Sequence, residues 1–90
     1  MTELEKAEHF LEVLKSAQAA APQPALQLLN GLIGMAKSAG GDQEFEIDEA
    51  RSSAFMSICE VGKALHRGLP TGPLWDHALA ATERWVSLVR

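Results

Sequence analysis

Hydrophobic residues recur along this chain at intervals of three and four, in four runs separated by breaks that contain proline or glycine. That spacing aligns side chains on one face of an α-helix. In the first run Leu4, Ala7, Phe10, Leu11, Leu14 and Ala17 make an inner face with Val13 on its flank, while Glu5, Glu8, His9, Glu12 and Ser16 point outward. Thr2-Glu3-Leu4-Glu5 fits a capping box, in which the Thr2 hydroxyl meets the Glu5 amide and the Glu5 carboxylate reaches back. The pattern predicts a helix over 3–19. Pro22 disfavours helical backbone at Ala21, and Pro24 suits the first turn of the next element, so the second helix is expected over 24–39. Gly40-Gly41 supplies its stop.

The third run places Ile47, Ala54, Ile58, Val61 and Leu65 on one seam with Phe55 and Gly62 beside it, and predicts a helix over 48–67 with Asp48 as N-cap. Gly68-Leu69-Pro70 reads as a Schellman ending. The fourth helix, expected over 73–89, has Pro73 in its first turn; Leu74, Trp75, Ala78, Leu79, Thr82, Trp85, Val86 and Val89 fill one arc. Asp76, His77, Ala80, Glu83 and Arg84 fill the other. Four amphipathic helices joined by short loops predict an all-α fold, a compact antiparallel four-helix bundle, with residues 1–90 forming a single domain.

The second run differs from the others. Between Pro24 and Ala39 the only charge is Lys37. Ala25, Leu28, Leu29, Leu32, Met35, Ala36 and Ala39 cover about half the helical circumference, more than the ~100° stripe of an ordinary surface helix. Gln27, Gly31, Gly34 and Ser38 lie opposite. Such a helix is expected near the centre of a bundle or at a subunit interface. Each interior glycine costs about 0.5–1 kcal/mol relative to alanine. Gly31 and Gly34 on one stripe therefore suggest close approach by another backbone, from this chain or a second subunit.

Composition sharpens this picture in three ways. Eight Lys and Arg are dispersed among twelve acids, for a net charge of −4. Clustered cations are the footprint of nucleic-acid binding, so a direct nucleic-acid partner is not expected. The N-terminus has no basic start followed by an apolar run, and no uninterrupted apolar stretch reaches the ~20 residues that span a bilayer. No membrane association and a cytoplasmic location are the expectation. The lone Cys59 forms no intramolecular disulfide.

Candidate chemistry is sparse. Glu5, Glu8, His9 and Glu12 share a face, but the Glu-x-x-His pairs of di-metal bundles are absent, and the face is the solvated one. Asp42, Glu44, Glu46 and Asp48 alternate like early calcium-loop ligands. Ile47 and Ser53 stand where such a loop needs glycine and a bidentate glutamate. Cys59, Lys63 and His66 form one stripe of the third helix. The thiol and imidazole would be about 10.5 Å apart along the axis, beyond hydrogen-bond reach. There is no Walker loop, zinc-ligand pattern, dinucleotide turn or nucleophile elbow, and no Glu-Glu-x-x-Glu arrangement of MazG-type pyrophosphohydrolases. No catalytic residue, metal or cofactor is expected.

What remains points to recognition of protein. The expected function is a small non-enzymatic interaction module, an accessory or regulatory factor acting as a homodimer or within a protein complex. Gly31 and Gly34 offer close approach; Trp75 and Trp85 offer large contact area with an N–H at the tip. Phe45 and Ile47, flanked by Glu44 and Glu46, could dock on a basic partner. This acidic connector, together with the acidic face of the first helix, carries the alternative reading, an acidic inhibitor or immunity-type protein masking a basic nucleic-acid-binding or nuclease surface.

Overall fold

The computed structural model describes residues 2–37 and 44–90, the side chains of residues 36 and 37 excepted. Helices α1 (Glu3–Ala19), α2 (Pro22–Lys37), α3 (Phe45–Arg67) and α4 (Gly72–Val89) form an antiparallel four-helix bundle of 36 × 21 × 17 Å. Each helix packs on the next, and α4 closes the ring against α1; the α3–α4 contact is the most extensive.

The termini follow from local chemistry. Thr2 and Glu5 make the capping box reciprocally, with both bonds at 3.1 Å. At the end of α3, Gly68 takes the left-handed conformation at φ 69°. Its N–H donates to Leu65 at 3.2 Å while the Leu69 N–H donates to Ala64 at 2.9 Å, the two bonds of a Schellman motif. Thr71 precedes α4 but does not cap it with its side chain. Its hydroxyl oxygen instead accepts the Trp75 indole N–H at 3.1 Å.

Three boundaries differ from the sequence reading, the smallest at α4, which begins at Gly72 rather than Pro73. α2 begins at Pro22 rather than Pro24, and the Ala25 N–H donates to the Ala21 carbonyl at 3.0 Å. Both prolines fit because the first turn has no intrahelical use for their missing N–H groups. α3 begins at Phe45, three residues before the expected start, and Glu44 rather than Asp48 stands at its N-cap without a side-chain bond. Asp48 lies inside the first turn, where its carboxylate pairs with Arg51 at 2.6 Å. Three acids in and just before that turn favour its positive end, which extends the helix. The expected stop at Gly40-Gly41, together with Ala39 and Asp42, lies outside the described residues.

The core draws on all four helices. Phe10, Leu14, Leu29, Leu32, Ile58, Val61, Trp75, Trp85 and Val86 interleave with Ala7, Ala17, Ala25, Ala50, Ala54 and Ala78. Small residues let the helices approach, and the large ones fill the space between layers. Phe10 and Trp85 meet edge to face, with centroids 5.2 Å apart at 84°, a geometry worth about 0.5–1.5 kcal/mol beyond burial alone. Thr82 is fully buried and satisfied, its hydroxyl donating to the Ala78 carbonyl at 2.8 Å.

α2 is not central. In a closed ring of four helices no helix is surrounded, and α2 touches only α1 and α3 extensively. Among the described side chains its buried stripe is Ala25, Leu29 and Leu32; two members of the expected arc lie off it, Leu28 at 38% exposed and Met35 half-buried. The apolar surplus read from the sequence is therefore real, but it lies on the flanks of the helix and not in the core.

Candidate docking interface

α2 presents three strips. Ala25, Leu29 and Leu32 face the core. On the α1 side, Leu28, Leu32 and Met35 meet His9 and Val13 across a largely apolar groove of about 290 Å³. On the α3 side, Leu26 and Ile33 with Gln23, Gln27 and Asn30 face Cys59, Gly62, Lys63, His66 and Arg67 across a larger groove of about 490 Å³. Between the grooves runs an exposed ridge of Gln27, Gly31 and Gly34.

The glycines define how closely that ridge can be approached. A Cβ placed on Gly31 or Gly34 would meet nothing within 4 Å. Among the described residues, then, no element of this chain makes the close backbone approach expected at either glycine. Both remain open outward, where a partner backbone could come close.

The other residues singled out by the sequence lie elsewhere. Trp75 and Trp85 are 6% and 1% exposed and belong to the core, so neither is offered at the surface of this chain. Glu44, Phe45 and Glu46 are exposed at the start of α3, Phe45 by 79%, while Ile47 is half-buried against the core. Neither groove of α2 includes any of these four. Cys59 is half-buried with Lys63 and His66 exposed beside it; all three line the α2–α3 groove, which joins them to a wall the third helix alone did not reveal.

Sequence reasoning missed Glu3. Its carboxylate closes one end of the bundle, with one oxygen accepting the Trp85 indole N–H at 3.0 Å and an Arg51 N–H at 3.2 Å. The other oxygen lies 3.6 Å from the Lys6 ammonium. Arg51 continues the network to Asp48. The only signal available was that Glu3 falls on the same wheel position as Phe10 and Ala17, at the very start of the helix. Its partners are 48 and 82 residues away, beyond any local pattern. The Glu5 carboxyl is held below the usual carboxylate range, first through the Thr2 backbone N–H and then through the Thr2 hydroxyl. That belongs to the cap and not to a reactive site.

Among the described residues, no three His, Cys, Asp or Glu side chains gather closely enough to hold a metal ion, and no helix is long and apolar enough to cross a membrane. The architecture defines the class: a small all-α four-helix bundle with one helix whose apolar flanks are only partly covered. No protein-family model, curated protein or solved structure matches the chain.

Proposed function

We propose that this protein is a non-enzymatic helical interaction module, an accessory or regulatory factor that docks another protein or a second copy of itself through α2. The observation that carries this is the α2 ridge, where Gly31 and Gly34 open outward between two grooves floored by Leu26, Leu28, Ile33 and Met35. Glycine is costly in a helix, and half-exposed leucine and isoleucine are costly in water. Both are relieved when a partner helix seats along the ridge, because the absence of Cβ atoms lets its backbone approach closely.

The test is cross-linked capture from native cells with wild type, Gly31→Arg and Glu83→Lys, followed by reconstitution of the complex from purified components. Glu83 is exposed on α4 and serves as the distant control. Gly31→Arg is expected to weaken the reconstituted complex about tenfold or more, equivalent to about 1.4 kcal/mol, and Glu83→Lys to leave it unchanged. A protein that stays monomeric at millimolar concentration, with every captured partner held equally by Gly31→Arg, would contradict the reading.

A second reading rests on Phe45, an exposed aromatic side chain between the exposed carboxylates of Glu44 and Glu46. It makes the start of α3 an acidic plug for a basic protein surface, as in an inhibitor or immunity-type protein. Association by that route slows steeply as salt rises. Retained affinity after neutralising Glu44, Glu46 and Glu49 together rules it out.

A further inference from the structure

We infer that the groove between α2 and α3 takes an acidic amphipathic helix from another protein. The inference rests on the docking role of α2 and specifies the chemistry of the occupant.

Charge is the first argument. The protein carries a net −4, yet among the described residues no carboxylate lines this groove; its charged residues are Lys63 and Arg67, with His66 between them. These cations are uncommitted. Lys6 and Arg51 lie against Glu3, Arg51 also against Asp48, and Arg84 against Glu49, whereas Lys63 and Arg67 form no ion pair among the described residues. Glu60, one turn before Lys63, is absent from this lining; it borders a neighbouring groove that Lys63 and Arg67 share with it, beside Leu69 and Leu74. On an acidic molecule, a groove edged by these cations selects a negative partner, while the net charge of −4 on each copy opposes self-association.

Shape and floor are the second argument. The α2 wall runs from Gln23 to Ile33, about 15 Å at the helical rise, and the α3 wall runs antiparallel from Arg67 to Cys59. About three turns on the α2 side and about two on the α3 side match a helix that anchors at i, i+3 or i+4, and i+7. Leu26 and Ile33 give those anchors an apolar floor, and Gly62 is its low point, since a Cβ there would meet nothing within 4 Å. The amides of Gln23, Gln27 and Asn30 lie along the opposite rim, where their N–H groups donate to carboxylates of the incoming helix. A bare polyanion would satisfy the cations and leave Leu26 and Ile33 uncovered. An amphipathic acidic helix covers both.

The test is selection of helical peptides from a random display library on the folded protein, with affinities then measured by fluorescence polarisation. Comparison proteins are Lys63→Glu/Arg67→Glu, Gly62→Leu and Glu83→Lys. The charge-reversed positions are exposed, and Gly62→Leu plugs the groove while adding helix propensity, so at least one variant retains the fold by circular dichroism. The expected result is enrichment of peptides with Asp or Glu flanking apolar anchors. Their affinity falls about tenfold or more with charge reversal and with Gly62→Leu, weakens as salt rises, and is untouched by Glu83→Lys. Enriched peptides that are basic or neutral, yet lose binding with Gly31→Arg, overturn the acidic partner and leave α2 as the docking element. Peptides indifferent to every α2 and α3 substitution, or no enrichment at all, overturn both. Self-association abolished by Lys63→Glu/Arg67→Glu would assign the groove to a second copy and overturn the external partner.

Discussion

At the end of the bundle where Glu3 meets Arg51 and Trp85, three helices are fastened by a shared carboxylate, and among the described residues no buried side-chain nitrogen or oxygen lacks a partner. Along α2 the construction is different. Ion pairs between described residues lie on α1, α3 and α4, and the described side chains that hold α2 are a buried stripe of Ala25, Leu29 and Leu32, with apolar side chains left half-exposed on both flanks. A chain of this size has only about 5–10 kcal/mol of stability to distribute. Concentrating it in α1, α3 and α4 leaves α2 with surface that folding does not use, and unused apolar surface is where binding energy comes from.

Breaking the fastened end should be most costly. Trp85→Ala removes a side chain that is 1% exposed, its edge contact with Phe10 and its bond to Glu3, and should destabilise by about 3–5 kcal/mol in urea unfolding followed by circular dichroism. Next come two leucines one residue apart. Leu29→Ala, in the buried stripe, should lose about 2–4 kcal/mol, while Leu28→Ala on the flank should lose less than about 1 kcal/mol. Equal losses would mean that the flank is core after all. Glu3→Gln keeps an acceptor for Trp85 but discards the charge facing Arg51, and should cost about 1–2 kcal/mol by the same measurement. Gly31→Ala has the opposite sign: with open space at its Cβ position, the free chain should gain about 0.5–1 kcal/mol.

The smallest effect is a pH dependence. Glu5 has its folded carboxyl pKa depressed by the Thr2 N–H and hydroxyl, so its contribution is present above the ordinary glutamate range and is lost as pH falls through the depressed folded value. An NMR titration should place the Glu5 midpoint below that of a glutamate peptide. The stability difference between wild type and Glu5→Gln should shrink on acidification.

Local signals carried most of the fold. Thr2 with Glu5, Gly68 with Leu69, and Pro73 mark helix ends through backbone rules that act within a few residues, and the structure uses all of them, while α2 opens at Pro22 rather than at the expected Pro24. The start of α3 was misplaced because Asp48 is as good an N-cap by residue type as any; its commitment to Arg51 is visible only once the helix exists. The candidate interface was half legible. Periodicity exposed the surplus of apolar surface on α2, but not its division into two grooves, since Leu26 and Ile33 acquire meaning only when Cys59, Gly62 and Lys63 stand opposite. Trp75 and Trp85 show the converse: residue types common at interfaces are consumed here by the core. Glu3 was hidden because long-range pairing leaves no trace in local spacing.

The central claim is that α2 is left partly uncovered so that a partner can cover it. Hydrogen–deuterium exchange on the purified protein, free and bound to its captured or selected partner, addresses this most directly. The account predicts new protection concentrated on α2 between Pro22 and Lys37 and on the α3 wall from Cys59 to Arg67, with the fastened end unchanged. Protection confined to the outer face of α4, or to the start of α3 around Phe45, would contradict it.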